Sequence, residues 1–202
     1  MPIFRHEDRL IYFAHVPKCA GTSIEHYLSQ RFGPLAFLDE HYLALDPDKR
    51  WNVSSPQHVP AHALARLFPD GFFDASFAVV RHPAERFHSA FHFQKQMETI
   101  HRRMPLSVWL RYFESRLFPG HARYDNHFLP QAAFVPEGAR VFRLEDGLQA
   151  LVDHIDDLVG NSDGPREIGR VNTGVGQGAL TPGQIERIRR IYSEDFERFG
   201  YE

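Results

Sequence analysis

The chain has 202 residues, of which 43% are hydrophobic and 24% charged, and its formal net charge is −3. This length and composition predict one globular domain spanning residues 1–202 and exclude disordered and collagen-like classes. No stretch approaches the roughly 20 apolar residues of a membrane span, and the charged N-terminus does not resemble a secretory signal, so we expect a cytoplasmic location. Because the chain is net acidic, we expect no nucleic-acid partner, and any anionic ligand requires a local pocket.

Cysteine and histidine content limit the covalent and metal chemistry that is available. A single cysteine, Cys19, excludes an intramolecular disulfide and a thiolate-rich zinc site. The thirteen histidines could supply metal ligands, but pairs such as His88 and His92 have no third ligand at a metal-binding spacing. We therefore predict no metal, and no pattern in the chain indicates an oligomeric state.

The sequence of the N-terminal third predicts a strand, a loop and a helix. Residues 10–14 are a short apolar run of strand-forming residues, and a loop over residues 15–23 follows directly. Apolar residues at helical spacing predict a helix over 24–32, with Thr22 or Ser23 as its N-cap. The segment 34–57 has no clear period and is predicted to be irregular.

The same pattern of strand, turn and helix recurs once more. A short helix is predicted over 58–68, begun by Pro60, and the apolar run 77–80 predicts the next buried strand. Pro83 then suits the first position of a helix with an apolar stripe.

The C-terminal half continues with alternating elements. Apolar periodicity predicts helices over 106–117 and 148–159, and residues 140–144 are a candidate third strand. A glycine-rich loop is predicted over 160–181. One last helix runs from a capping box at Thr181 to Phe199.

Buried strands that alternate with helices predict an α/β fold with a central parallel β-sheet flanked by helices. In such folds ligands bind beyond the carboxyl ends of the strands. The loops 15–23 and 81–89 both lie at such ends, which makes them the candidate ligand-binding segments.

The loop 15–23 has the features of an anion site. A lysine and a glycine in a turn that opens a helix offer backbone N–H groups, the positive end of the helix dipole and an ammonium group. The Walker pattern requires Gly-Lys-Ser/Thr, whereas Lys18 here precedes Gly21 by three residues. This spacing weakens a kinase or ATPase interpretation, and so does the absence of a strand ending in Asp.

Two segments resemble motifs of one enzyme family. Pro17–Ser23 (PKCAGTS) resembles the 5′-phosphosulfate loop of sulfotransferases, especially the branch that sulfates carbohydrates, and Phe77–Arg86 with Ser89 resembles the 3′-phosphate motif. The resemblance extends over almost the whole chain, because three further segments are similar to the family: Arg143–Asp146, Val171–Thr173 and Tyr192–Tyr201. The chain departs from the usual residues at positions 19, 20 and 82, but these changes remove no charged contact.

The resemblance implies a P-loop-like three-layer fold and a donor, 3′-phosphoadenosine 5′-phosphosulfate (PAPS), with adenosine 3′,5′-bisphosphate (PAP) as product. Lys18 would hold the bridging oxygen and the 5′-phosphate, while Arg81 and Ser89 would hold the 3′-phosphate. The remaining cofactor-binding residues that it implies are Pro17, Cys19, Ala20, Gly21, Thr22, Ser23 and Asn172. A sulfuryl group carries one negative charge fewer than a phosphoryl group, so the need for Mg²⁺ is smaller.

Sulfuryl transfer also requires a base for the acceptor hydroxyl. The family's catalytic histidine precedes the 3′-phosphate strand, and the matching segment here holds His58 and His62, one helical turn apart. His58 is favoured by its spacing, while His127, in a loop signal with Asp125-Asn126, remains a third candidate. His58 and His62 could equally be structural residues, and His127 could instead contact the substrate.

The resemblance implies an acceptor hydroxyl on a carbohydrate or glycolipid. Two other functions stay open from the residues alone. One is a P-loop-like nucleotide-dependent kinase, which would consume ATP with Mg²⁺, and the other is a non-catalytic module that binds the nucleotide without turnover.

Overall fold

A computed structural model describes residues 1–116, 121–171 and 178–202 of the chain. Its sheet has four strands in the order β1 (Ile3–His6), β2 (Arg9–Ala14), β3 (Ala75–Val80) and β4 (Arg140–Arg143). β2, β3 and β4 are parallel, and Phe13 of β2 lies opposite Phe77 of β3. The three predicted strands are therefore confirmed. β1 was not predicted: it pairs antiparallel with β2 and forms the edge of the sheet.

The described residues form seven α-helices, with the following bounds: α1 Gly21–Phe32, α2 Ala61–Leu67, α3 Pro83–Gln96, α4 Leu106–Arg116, α5 Gln149–Val159, α6 Pro182–Ile191 and α7 Ser193–Phe199. Between α1 and α2 the described chain makes three-residue 3₁₀ turns and one isolated bridge from Ala36 to Ile3, as expected for the irregular segment 34–57. Within the described ranges, no helix is both long enough and apolar enough to cross a membrane.

The buried apolar residues form two clusters. The larger one joins the strands to α1 and α5, and its aromatic centre includes Phe13 stacked on Phe77 at 5.2 Å. The smaller one lies among α3, α4, α6 and α7 and is built around Phe87 and Phe128. A mostly parallel sheet flanked by helices is the α/β architecture that the sequence predicts.

Two local predictions were wrong. The N-cap of α1 is Ala20, in a left-handed conformation and without a side-chain hydrogen bond, so Thr22 and Ser23 lie inside the helix. The last helix is not continuous either, because it breaks at Tyr192 into α6 and α7, although the capping box at Thr181 is present. At the break, the buried Tyr192 hydroxyl donates to the carbonyl of Phe128 at 2.7 Å.

Candidate active site

The loop after β2 presents backbone donors at the start of α1. Lys18 and Ala20 have φ of 68° and 64°, in the left-handed region. Turns of this kind and helix N-termini direct backbone N–H groups to one point, where an anion can bind. Because Ala20 offers no side-chain cap, no side chain at the N-cap satisfies these first N–H groups of α1.

Gly21 is required here by packing. A Cβ at this position would lie 1.8 Å from Nε2 of His15, so the imidazole ring occupies the space where a side chain would stand. The ring is held by Glu25, which accepts a hydrogen bond from Nδ1 of His15 at 2.5 Å. Burial lowers the pKa of His15, whereas Glu25 keeps a lowered pKa because His15 outweighs the effect of burial.

Lys18 is a largely buried cation without a carboxylate partner among the residues that the structure describes. Its Nζ lies over the ring of Phe93, 3.9 Å from the centroid. Burial, together with the nearby positive charge of Arg81, lowers the pKa of Lys18 to about 8. An anion bound beside both cations would relieve this repulsion, which is the electrostatic setting of a phosphate or sulfate site.

The side chain of Gln131 joins the two candidate loops. Its Oε1 accepts hydrogen bonds from the backbone N–H of Arg81 at 2.9 Å and from the Cys19 thiol at 3.3 Å, and its Nε2 donates to the carbonyl of Arg81 at 2.8 Å. Gln131 is fully buried, and burial raises the pKa of the Cys19 thiol to about 12, so Cys19 is a structural thiol. One amide thus fixes the relative position of the loop after β2 and the end of β3.

Arg81 leaves the carboxyl end of β3, and Ser89 is half-buried in α3, two turns from the helix start. The Arg81 guanidinium lies 3.5 Å from the exposed carboxylate of Glu85 and retains a partly exposed surface. The backbone at this point is held by Glu145, which accepts from the N–H of His82 at 2.7 Å and from the Tyr201 hydroxyl at 3.0 Å. The C-terminal segments thus support the end of β3.

The other predicted cofactor residues differ in what they contact. Thr22 is exposed in the first turn of α1, while Ser23 Oγ accepts a hydrogen bond from the N–H of Val171 at 3.1 Å. The carbonyl of Pro17 faces the Cys19 thiol at 3.7 Å. Asn172 follows Val171 in sequence but lies outside the described residues.

A cluster of buried histidines lies against this loop. The His58 ring makes edge contacts with His15, at 4.6 Å between centroids, and with His127, at 5.1 Å. Asp125 accepts a hydrogen bond from Nδ1 of His58 at 2.7 Å. The His127 ring lies 5.0 Å from the ring of Phe93, under Lys18, so contacts run without interruption from His58 to the lysine.

His58, Asp125 and His127 could in principle hold a metal ion, because their ligand atoms lie within 4.8 Å of one another. The protonation of His127 does not fit that role. Gln94 Nε2 donates to the carbonyl of Tyr124 at 2.9 Å and to Nδ1 of His127 at 3.0 Å, which leaves the His127 proton on Nε2, the atom that faces Asp125. Burial keeps the pKa of His127 well below its ordinary value, so the ring is neutral.

His62 is exposed on α2, and it makes no side-chain hydrogen bond or ion pair within the described parts of the chain. The structure therefore brings His58 and His127 together with Lys18, but not His62. His88 and His92 face each other on α3 with their Nε2 atoms 3.0 Å apart, which is a hydrogen bond between a buried and a half-buried ring. Burial lowers the pKa of both.

Sequence reasoning did not assign roles to several residues that shape the site: Glu25, Ser55, Phe93, Gln94, Asp125 and Gln131. Their roles depend on contacts across long stretches of chain, which a single sequence does not show. A partial signal existed for Asp125, because it belongs to the loop signal Asp125-Asn126 that precedes His127.

The carboxyl ends of β2 and β3 thus lead into loops that carry Lys18 and Arg81, next to a cluster of buried histidines. The family model for the sulfotransferase family matches residues 1–202, and the chain belongs to that family. Neither a curated protein nor a solved structure matches the chain.

Proposed function

We propose that this sulfotransferase moves the sulfuryl group of PAPS to the hydroxyl of a carbohydrate or glycolipid, with His58 as general base, within a single domain and without a metal. The observation that carries the proposal is the unbroken row of contacts from Lys18 through Phe93 and His127 to His58. It supports a site in which one end holds the leaving group and the other removes a proton.

The donor would lie along the carboxyl ends of β2 and β3. The 5′-phosphate would bind to the N–H groups at the start of α1, with Lys18 beside the bridging oxygen, where negative charge develops as the bond to sulfur breaks. The 3′-phosphate would bind to Arg81, whose planar guanidinium can donate two parallel hydrogen bonds to one phosphate, and to Ser89.

His58 is the best candidate for the base among the three histidines. A base needs a free ring nitrogen near the reacting atoms, and Nε2 of His58 has no hydrogen-bond partner among the described residues. The Nε2 of His127 carries a proton because Nδ1 accepts from Gln94, and the ring is fully buried. His62 is exposed and outside the cluster.

An exposed surface that lies a few residues before His58 in the chain supports a sugar acceptor. Tyr42 accepts from the N–H of Asn52 at 2.7 Å and donates to its carbonyl at 2.6 Å, which closes the segment between them into a compact loop. The loop exposes 63% of Trp51, and an open cavity of about 410 Å³ is lined by Pro47, Arg50, Trp51, Asn52 and Val53. An exposed indole can pack against the apolar face of a sugar ring, and the chain runs from this loop into His58.

The test is transfer of labelled sulfate from PAPS to a panel of hydroxylated glycans, lipids and phenols. His58→Ala should lower kcat by about 10²–10⁴ and leave the Kd for PAP unchanged, whereas the exposed control His62→Ala should behave as wild type. Transfer of a phosphoryl group from ATP would instead support a kinase. Tight binding of PAP without transfer to any acceptor would support a non-catalytic module, and loss of turnover in His62→Ala alone would exclude His58 as the base.

A further inference from the structure

The turn 125–127 contacts the turn that carries His58 through three consecutive side chains. Besides the hydrogen bond to Asp125 and the ring contact with His127, Nδ2 of Asn126 donates to the carbonyl of His58 at 2.9 Å. Asp125 and Asn126 have φ of 53° and 59°, values that residues other than glycine adopt rarely, Asp and Asn more readily than most. The buried guanidinium of Arg86 fixes the end of the turn by donating to the carbonyl of His127 at 2.9 Å.

Both oxygens of Asp125 accept hydrogen bonds. Oδ1 accepts from the backbone N–H of Ser55 at 2.6 Å, and Oδ2 accepts from the Ser55 hydroxyl at 3.0 Å and from His58 Nδ1 at 2.7 Å. Burial raises the pKa of Asp125, but His58, His127 and the Ser55 N–H outweigh it and hold the pKa well below its ordinary value. The carboxylate is therefore ionised and has no proton to donate, so His58 must carry its proton on Nδ1.

We propose that Asp125 is a positioning residue for sulfuryl transfer: it keeps the proton of His58 on Nδ1, so that Nε2 is the atom that receives the acceptor's proton. The inference rests on the proposed function of His58. In that step the acceptor O–H bond breaks and its proton binds Nε2. The acceptor oxygen forms a bond to sulfur as the bond from sulfur to the 5′-phosphate oxygen breaks, and the leaving PAP keeps that electron pair. Asp125 then faces an imidazolium ion, whose positive charge it stabilises.

The substitution Asp125→Asn has a specific expected effect. The backbone N–H of Ser55 can only donate, so the amide oxygen must stay at the position of Oδ1. The amide nitrogen then takes the position of Oδ2 and faces Nδ1 of His58, to which it donates. The proton of His58 moves to Nε2, and the base atom is blocked while the shape of the site is kept.

The experiment combines spectroscopy with kinetics. Long-range ¹H–¹⁵N NMR spectra of ¹⁵N-histidine-labelled protein, with His58 assigned by comparison with His58→Asn, show which ring nitrogen is protonated. We expect Nδ1–H in the wild type and Nε2–H in Asp125→Asn. In that variant kcat should fall by about 10²–10⁴, while the Kd for PAP stays within about threefold. The control Asp156→Asn removes a carboxylate that pairs with Arg31 at 2.6 Å and should change neither the tautomer nor kcat.

Wild-type His58 with its proton on Nε2 would overturn the proposal, and this measurement needs no variant to fold. An Asp125→Asn protein that is folded and retains full kcat would also overturn it. If the wild type transfers sulfate to no acceptor in the panel, the proposed function fails, while the spectra still decide whether Asp125 sets the tautomer.

Discussion

The buried amide of Gln131 offers a quantitative test of how the two donor-binding loops are held. Gln131→Met keeps the length and approximate volume of the side chain but removes three hydrogen bonds, two of them to the backbone of Arg81. A typical hydrogen bond contributes about 1 kcal/mol net, and a buried donor or acceptor left unpaired costs about 1–3 kcal/mol. Because the Arg81 groups are only partly buried, we expect the free energy of unfolding to fall by about 2–4 kcal/mol.

Urea unfolding measures this loss, and calorimetry with PAP measures its consequence for the site. Affinity for PAP should fall at least tenfold at a temperature where the variant remains folded, because the loop after β2 and the end of β3 would no longer be held together. Gln149→Ala is the control, since it loses one exposed hydrogen bond to Asp153 and should stay within about 0.5 kcal/mol of wild type. A destabilisation below about 1 kcal/mol, or unchanged PAP affinity, would refute the reasoning.

Four further predictions concern donor binding and metal dependence. Lys18 loses its proton as the pH rises through about 8, so PAP affinity measured by calorimetry should fall across that range in the wild type but not in Lys18→Met; the same decline in both would exclude Lys18 as the titrating group. Lys18→Ala should also slow turnover at saturating PAPS by about 10²–10³ with the fold intact. Arg81→Ala should weaken PAP binding by about 2–5 kcal/mol and leave 5′-AMP binding nearly unaffected, whereas equal losses for both nucleotides would show that the 3′-phosphate is not recognised. Turnover should survive EDTA, and activity that vanishes with the chelator and returns with Mg²⁺ or Zn²⁺ would contradict this.

Local patterns in the sequence were sufficient to predict the strands and caps that are determined by residues close together in the chain. The apolar runs of β2 and β3 and the capping box at Thr181 are confirmed, because burial and capping act over a few residues. The antiparallel strand β1 was missed because its four residues carry Arg5 and His6 and only pairing with β2 makes them a strand. The break at Tyr192 was also missed, because the apolar pattern continues across it from Ile191 to Phe196.

The residues of the candidate site also differ in whether local sequence could predict their place. Arg81 follows β3 directly and Lys18 lies in the loop that follows β2, so their place near the strand ends could be predicted from spacing, and they influence each other electrostatically. The sequence did not decide which of His58, His62 and His127 is the base. These residues differ in burial and in their contacts with Gln94 and Asp125. Those contacts span 33 and 67 residues of chain, which no local pattern encodes.

The contact between His15 and Gly21 couples two positions that a motif search treats as independent. With Nε2 of His15 1.8 Å from the place of a Cβ, Gly21 cannot gain a side chain unless residue 15 becomes smaller. Among related sequences these two positions should therefore vary as a pair, with glycine kept wherever an aromatic ring precedes the loop. Gly21→Ala combined with His15→Ala should be less destabilising than the sum of the two single changes, a non-additivity that a double-mutant cycle would measure.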